Sequence, residues 1–377
     1  MQRYLLLICV TLIFGLGLVM VFDTSSADIL DRSLSKSTHH SVIRQVLYGL
    51  IGCFSGGVAS FIGYRNLLKL SLPILCILCF LLLLVFIPGI GKTINGARRW
   101  VGIASYTMQP SEFVKFAVPL FYIHYFMKIK EGELDLESFI KLVGPLLVPL
   151  VLIFLEPDTG TSVIILLTIF MLVVLTGVNR KFWVLPMVVA VVVGGSLAYN
   201  MPYIRARVAV FLNPELDRLG KGHQPYQAKI AAGSGGLTGK GIGKSLQKLN
   251  YLPEAQNDYI GAIFAEEFGF LGVLFLIFLY MILAYLGFHI AFSAVDKEGF
   301  YLAGSITYLI CIQAFLNLGV VSGLLPSTGL NLPLFSQGGT SLMANIIGIS
   351  ILLNIAVVSE KSKNRVYRRA INKGILS

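Results

Sequence analysis

The sequence is poor in charged residues. They make up 13% of its 377 residues, and hydrophobic residues make up 56%, whereas a soluble domain carries about 25% charged residues. A surface that faced water would need more polar side chains, so the composition excludes an ordinary soluble protein and predicts one that crosses a membrane several times. The net charge of +11 requires no nucleic-acid partner, because basic residues flank membrane helices on their cytoplasmic side.

Cysteine and histidine are also scarce. The five cysteines lie in apolar stretches, and the C-x-x-C formed by Cys76 and Cys79 has no second pair or nearby histidine to complete a metal site. We therefore predict no metal site and interpret the cysteines as small apolar side chains. No spacing demands a cofactor, but a divalent cation, Mg²⁺ or Mn²⁺, that bridges a phosphate and a carboxylate stays open as an alternative.

Long apolar runs are abundant. They predict an all-α, polytopic membrane protein of about ten transmembrane helices in a single integral membrane domain over residues 1–377. The predicted helices cover about residues 4–22, 45–62, 70–88, 111–127, 142–155, 161–178, 182–199, 262–292, 301–324 and 341–358. We interpret the first as a retained helix rather than a signal peptide, because its run is longer than the roughly 7–15 residues of a signal core.

The distribution of lysine and arginine predicts the orientation. With both termini inside, the inner segments carry fifteen of these residues and the short outer segments carry seven, and positive charge favours the cytoplasmic side. We therefore expect cytoplasmic termini, a basic cytoplasmic tail over residues 359–377 and one long extracytoplasmic loop over residues 200–259.

The long loop has the chemistry of an anion-binding segment. Its basic residues accompany a glycine run from Gly233 to Ser245, and cations together with flexible backbone N–H groups suit phosphate. Gly243-Lys-Ser245 is not a P-loop, because Thr238 stands where that motif requires glycine. A pyrophosphate at the outer membrane surface indicates a polyprenyl-pyrophosphate lipid. A flexible loop that contacts lipid headgroups is the alternative.

Asp258 is the last acidic residue before the eighth predicted helix. Sugar transfer from a pyrophosphate needs a carboxylate that removes the acceptor hydroxyl proton and cations that stabilise the departing pyrophosphate. We predict Asp258 as that catalytic base, with a helix N-cap as its alternative role. From their charge, the predicted pyrophosphate-binding residues are Arg205, Arg207, Lys240 and Lys244.

Seven further residues are predicted to support the site, and each also has a purely structural explanation. Glu112 and Lys115 are three residues apart and can pair on one helix face; the others can cap a helix, bind a cation or contact headgroups. The set is Glu112, Lys115, Glu156, Asp158, Glu254, Glu266 and Glu267. Gln313 and Asn317, four residues apart, predict hydrogen bonds between helices.

A series of short motifs lies between residues 88 and 358. They are Asn95-Gly-Ala-Arg-Arg-Trp100, Gln109-Pro-Ser-Glu112, Glu156-Pro-Asp-Thr-Gly160, Arg205 with Arg207, Gly235-Gly-Leu-Thr-Gly-Lys-Gly241, Leu252-Pro-Glu254, Asn257-Asp-Tyr-Ile260, Glu266-Glu267, Leu325-Pro326 and Gly338-Gly339. In kind and order they resemble the SEDS family of bacterial shape, elongation, division and sporulation proteins. The stretches around Leu252 and Gly329 resemble the division branch more than the elongation branch.

The resemblance implies a peptidoglycan glycosyltransferase of the bacterial cytoplasmic (inner) membrane that polymerises lipid II. The family's essential aspartate corresponds to Asp258, undecaprenyl pyrophosphate is the leaving group, and the site is extracytoplasmic. The implied partners are a class B penicillin-binding protein, which is a transpeptidase, and other membrane proteins of the divisome or elongasome. Three residues depart from the family's usual motifs, namely Asn257, Tyr259 and Gln337. A lipid II flippase, an elongation-type polymerase and a non-catalytic scaffold stay open.

Overall fold

The computed structural model describes residues 2–32, 39–94, 97–103, 106–129, 134–213, 222–249, 252 and 255–372. These residues form thirteen α-helices and one small β-sheet. The helices are α1 (Gln2–Arg32), α2 (His40–Ile62), α3 (Tyr64–Lys69), α4 (Ser71–Val85), α5 (Pro110–Phe126), α6 (Leu136–Leu155), α7 (Thr159–Leu175), α8 (Arg180–Asn200), α9 (Pro202–Leu212), α10 (His223–Ser234), α11 (Ile260–Phe292), α12 (Lys297–Val321) and α13 (Gly339–Asn372).

The predicted polytopic helical fold is confirmed. Within the described residues, seven helices are long and apolar enough to cross a membrane, and α4 and α7 are shorter apolar helices. The remaining predicted segment is α5, so each of the ten apolar runs has become a helix. These runs form helices because a segment in hydrocarbon must satisfy its backbone hydrogen bonds internally.

Helices α5 and α12 form the centre of the molecule. Nearly every residue of α5 from Pro110 to Ile123 is buried, and two thirds of the most apolar window of α12 is buried. Helix α8 is the opposite case, because none of its residues is buried. A helix that is apolar around its whole circumference needs lipid or a neighbouring helix to cover it.

Glycine allows α2 and α13 to pack closely. A Cβ at Gly52 would lie 3.2 Å from the Cα of Met343, and one at Gly56 would lie 2.3 Å from the Ser350 hydroxyl oxygen. Small residues at such positions let two helix backbones approach within a membrane. The predicted second and tenth helices therefore form a tightly packed pair.

The segment between α4 and α5 forms a β-sheet that was not predicted. Strands β1 (Gly91–Ile94), β2 (Ala97–Ile103) and β3 (Tyr106–Met108) form an antiparallel sheet in that order. Trp100 lies on β2 opposite Lys92, and the sheet covers the end of α4.

The long loop also contains regular structure, in the form of α9 and α10. The glycine-rich segment that follows α10 packs against a break in α11 at Gly269, where φ is +68°. A Cβ at Gly269 would lie 2.3 Å from the backbone nitrogen of Gly239, so only glycine fits this contact. The backbone nitrogens of Phe270 and Leu271 donate to the carbonyls of Gly236 and Leu237, which ties the loop to the break.

Ion pairs group the loops into two sets. Arg3 lies 3.5 Å from Glu360, and Arg65 lies 2.6 Å from Asp296; all four residues belong to segments predicted to be cytoplasmic. At the other end of the bundle, Lys248 pairs with Asp23 at 2.6 Å. The contacts therefore join segments that were assigned to the same side.

Candidate functional site

Asp258 lies directly before α11, in the turn that ends the long loop. The N-cap residue of α11 is Tyr259, which makes no side-chain capping bond. The backbone carbonyl of Asp258 accepts a hydrogen bond of 2.8 Å from the side-chain amide of Asn317 on α12. Asp258 is half-buried, so it lies at the surface of the packed helix bundle.

Asp258 and Arg207 converge on the loop between α12 and α13. A Cβ at Gly329 would lie 3.8 Å from Oδ2 of Asp258 and 3.7 Å from Nη2 of Arg207. Arg207 also donates a 2.9 Å hydrogen bond from Nη1 to the backbone carbonyl of Ser327. Gly329 has φ of +75°, a conformation that glycine adopts without strain. The structure thus brings together a carboxylate and a guanidinium that are far apart in the sequence.

The two arginines of α9 point in different directions. Arg205 is exposed, and its guanidinium lies 5.3 Å from the ring centroid of Tyr199. Arg207, two residues later, reaches the α12–α13 loop. Because residues two apart do not share a helix face, only Arg207 joins the surroundings of Asp258.

A second cation near Arg207, Lys229 on α10, was not singled out from the sequence. Its side chain crosses Gly323, where an added Cβ would lie 2.8 Å from Nζ of Lys229. The two cations line one pocket between α9, α10 and the end of α12. Its lining residues are Arg207, Val210, Phe211, Pro225, Lys229, Val320, Gly323, Leu325, Pro326 and Ser327. Among eight basic residues of the loop, only a correct placement of α10 could have identified Lys229.

The predicted loop cations Lys240 and Lys244 lie in the glycine-rich segment. Lys240 donates a 2.6 Å hydrogen bond to Glu266, whereas Lys244 is exposed. Lys248, which was not selected, is buried and pairs with Asp23 and with Glu267 at 2.8 Å. The chain's own carboxylates therefore engage two of the three lysines.

Glu266 and Glu267 anchor this segment to α11. Glu266 accepts hydrogen bonds from the Ser245 hydroxyl and from the backbone nitrogens of Leu246 and Gln247. Glu267 accepts one from the backbone nitrogen of Ser245. Both glutamates are almost completely buried. Glu254, which was also predicted to support the site, lies outside the described residues.

Glu112 and Lys115 form the pair that their spacing predicts. Nζ of Lys115 lies 2.7 Å from Glu112, and it donates a second bond of 2.6 Å to the Gln313 side chain on α12. Both charged side chains are buried. Gln313 in turn donates to the backbone carbonyl of Asn331. A buried polar connection therefore runs from α5 through α12 to the α12–α13 loop.

Glu156 and Asp158 occupy the turn between α6 and α7 but differ in their surroundings. Asp158 caps α7 through the Thr161 nitrogen and accepts hydrogen bonds from Gln109 and Ser111, with Arg99 at 3.6 Å. Glu156 is buried, and neither of its carboxyl oxygens has a hydrogen-bond partner among the described residues. Burial and the negative charge of Asp158 raise the pKa of Glu156 to about 9, against the opposing effect of Arg99.

Metal binding receives no support from the described part of the chain. It contains no group of three or more His, Cys, Asp or Glu side chains placed to hold an ion. Glu156 and Asp158 give only two carboxyl groups, and Asp158 already has four partners, one of which is a cation. The raised pKa of Glu156 also disfavours it as a ligand, because a ligand carboxyl group must be deprotonated.

The three motif departures lie in or against the turn of Asp258. Asn257 and Tyr259 flank Asp258 in the sequence, and Tyr259 is buried at the start of α11. The backbone nitrogen of Gln337 donates to the carbonyl of Gln256 at 3.0 Å, so the α12–α13 loop is joined to this turn.

The chain matches known proteins over almost its whole length. The family described as cell cycle protein, which groups FtsW, RodA and SpoVE, matches residues 3–361. A probable peptidoglycan glycosyltransferase FtsW from Legionella pneumophila is 40% identical over 352 residues, which cover 91% of this chain and 88% of that protein. Stage V sporulation protein E of Bacillus subtilis is 35% identical over 356 residues, with coverages of 93% and 96%.

Solved structures share the fold. A chain of a peptidoglycan synthase complex, described as structurally coordinating polymerization and crosslinking, aligns with a TM-score of 0.74 at 27% identity and covers 94% of this chain and 97% of that one. The rod shape determining protein RodA of Thermus thermophilus aligns with a TM-score of 0.66 at 25% identity, with coverages of 93% and 95%. These matches confirm the family resemblance of the motifs: the chain belongs to the FtsW, RodA and SpoVE family of cell cycle proteins.

Proposed function

We propose that this protein is a peptidoglycan glycosyltransferase that polymerises lipid II into glycan strands during cell division. The single observation that carries the proposal is the convergence of Asp258 and Arg207 at Gly329, at the end of the long loop. The names of its relatives give the same reaction class, since several of them are probable peptidoglycan glycosyltransferases FtsW.

In the proposed reaction, Asp258 removes the proton from the acceptor's GlcNAc 4-hydroxyl. The hydroxyl oxygen then attacks C1 of the donor MurNAc, and undecaprenyl pyrophosphate leaves from the opposite face with inversion at C1. A positioned general base contributes roughly 10²–10⁴ in rate. To act as the base, the carboxylate must be open to the acceptor and held in position by the protein. A half-buried Asp258 fits both requirements.

The departing pyrophosphate needs positive charge. Arg207 and Lys229 line one pocket, and Arg207 also lies beside Gly329, which Asp258 approaches. These two residues are the cations that we assign to the pyrophosphate. Arg205, Lys240 and Lys244 remain candidates from the sequence, although Lys240 would first have to leave Glu266. Cations in a site with little water stabilise developing negative charge more strongly than they would in bulk solvent.

We place this site on the extracytoplasmic side and both termini in the cytoplasm. The excess of basic residues in the inner segments supports this orientation. The contact between Arg3 and Glu360 supports placing both ends of the chain on one side. An outward site also meets the lipid-linked donor on the surface where glycan strands are assembled.

We further propose that a class B penicillin-binding protein is the partner. The solved complex that shares this fold is a peptidoglycan synthase described as coordinating polymerization and crosslinking. A polymerase and a transpeptidase held together would pass each new strand directly to crosslinking. Other divisome membrane proteins would then contact the same pair.

The test is strand synthesis from labelled lipid II by the protein purified with its penicillin-binding partner. We expect strands from the wild type and at least a 10²-fold lower rate from Asp258→Asn. The matched pair Arg207→Ala and Arg205→Ala tests the cation assignment, since only the first residue reaches the α12–α13 loop.

Each result of this assay has one meaning. Wild-type rates from Asp258→Asn would refute Asp258 as the base. An equal loss from both arginine variants would refute the preference for Arg207. Absence of strands from the wild type, together with movement of labelled lipid II across a vesicle membrane, would replace the polymerase by a flippase.

A further inference from the structure

Asn317 connects three separate parts of the chain through one buried amide. It lies on α12 with 1% of its surface exposed. Its Nδ2 donates one hydrogen bond of 2.8 Å to the backbone carbonyl of Asp258 and another of 2.7 Å to that of Leu330. An amide nitrogen carries two protons, so both donors of this side chain are in use.

The two carbonyls belong to the two segments that form the candidate site. One carries the carboxylate of Asp258. The other follows Gly329, which faces both that carboxylate and the guanidinium of Arg207. Neither carbonyl is held within a helix, because Asp258 precedes α11 and Leu330 lies in the loop after α12. The amide therefore helps to set the separation of the two segments, together with the backbone bond from Gln337 to Gln256.

Asn317 is itself held in a rigid setting. One turn earlier on α12, Gln313 donates to the carbonyl of Asn331, the residue after Leu330. Gln313 also accepts the 2.6 Å bond from Lys115, which is paired with Glu112. Leu330 and Asn331 are thus bonded to Asn317 and Gln313, which lie one turn apart on α12. Lys115 on α5 holds the side chain of Gln313 in place.

Packing alone gives no reason for an amide at this position. Oδ1 of Asn317 has no hydrogen-bond partner among the described residues, and a buried polar atom without a partner costs about 1–3 kcal/mol. A leucine of similar shape would avoid that cost, but it would leave the carbonyls of Asp258 and Leu330 without the donor that the amide supplies. An asparagine here is accounted for by its two donated bonds to the site.

We propose that Asn317 is a positioning residue for the reaction of Asp258. By fixing the Asp258 carbonyl against the α12–α13 loop, it holds the carboxylate in reach of the acceptor hydroxyl and beside Arg207. It touches neither substrate nor leaving group. The inference rests on the proposed function, because it assigns Asn317 a part in the glycosyl transfer that Asp258 promotes.

A positioning role predicts a loss of turnover without a loss of donor binding. A displacement of about 1 Å in a reacting group can lower the rate about 10²-fold. We therefore expect Asn317→Leu, measured per folded molecule, to lower kcat about 10²-fold while the KM for lipid II stays within about threefold of wild type. Asn317→Ala removes the amide without introducing a charge, and it should behave similarly.

Asn345→Leu is the matched control. Asn345 is equally buried, at 1% exposed, but within the described part of the chain its amide donates only to Ser341 on the same helix, α13. The control should lose some thermal stability and keep its kcat. Circular dichroism and size exclusion identify the folded fraction, and Asn317→Ala serves if the leucine variant does not fold.

The outcomes separate this inference from the proposed function. Strands from the wild type, with kcat of either folded Asn317 variant equal to that of Asn345→Leu, would overturn the positioning role alone. A rise in KM with kcat unchanged would also overturn it, because Asn317 would then act on binding. If the wild type makes no strands, both proposals fall. If the wild type makes strands and Asp258→Asn keeps full activity, the positioning role and the assignment of Asp258 as the base fall, and the polymerase stands.

Discussion

The buried carboxyl group of Glu156 makes stability depend on pH in a definite direction. Burial and the neighbouring Asp158 raise its pKa to about 9 from 4.5. Between those values the folded protein keeps a proton that the unfolded chain releases. A rise in pH across this window therefore favours unfolding, by about 1.4 kcal/mol per pH unit for one group. Glu156→Gln removes the dependence, because glutamine is neutral throughout.

The expected size of the effect follows from the width of the window. Near pH 5 the side chain at position 156 is neutral in both folded proteins, since glutamic acid keeps its proton there and glutamine has none to lose. Wild type and Glu156→Gln should therefore differ little in stability. From pH 5 to pH 8 the variant should gain about 4 kcal/mol relative to wild type. This corresponds to a gap in melting temperature of roughly 5–10 °C. The gain should level off as the pH passes 9, where the folded protein also releases the proton.

Melting temperature in one detergent, followed by circular dichroism at each pH, measures this gap. Glu137→Gln is the control, because Glu137 lies on the surface of α6 with 71% of its side chain exposed. Any pH dependence that this variant shares with wild type comes from other groups. A constant gap for Glu156→Gln, or one that narrows as the pH rises, would refute a protonated Glu156 in the folded protein.

Two further predictions concern buried charge and a strained turn. Lys115→Met should destabilise the protein by about 3–5 kcal/mol in thermal melts, because it leaves the buried Glu112 without its cationic partner. The double variant Glu112→Leu/Lys115→Met should recover most of this loss of stability. No recovery would show that the charge is not the cause. Gly329→Ala should lower the stability by about 1–2 kcal/mol, because alanine is strained at a φ of +75°. It should also slow strand synthesis, because Gly329 lies next to Asp258. Gly177→Ala, at φ +70° with open space around it, should show the strain without the loss of synthesis.

The membrane helices were predictable because each is encoded locally. An apolar run of sufficient length must become a helix in lipid, so the ten runs identified their helices. The sheet over β1 to β3 and the helices α9 and α10 were missed for the opposite reason. They are short, and α10 has no distinct apolar face, because its polar and apolar residues are mixed around the helix. The sheet contacts α4 and α10 contacts α11, and such contacts cannot be read from a local pattern.

The site was predictable where chemistry and position in the chain were enough. Asp258 was selected as the last acid before a helix, and Arg207 as a loop cation. The choice of Arg207 over Arg205 requires the direction of α9, and the recognition of Lys229 requires α10. Spacing suggested that Asn317 bonds to another part of the protein, but only the fold shows that its partner is Asp258.

The glycine-rich segment after α10 resembles an anion-binding loop whose place for the anion is already filled. The backbone nitrogens of Ser245, Leu246 and Gln247 point at the carboxylates of Glu266 and Glu267, where a phosphate would otherwise lie. A tethered ligand of this kind has a high effective concentration. Soluble phosphate should therefore compete poorly with these two carboxylates for the backbone nitrogens. Phosphate binding by this segment would first require the removal of the two glutamates.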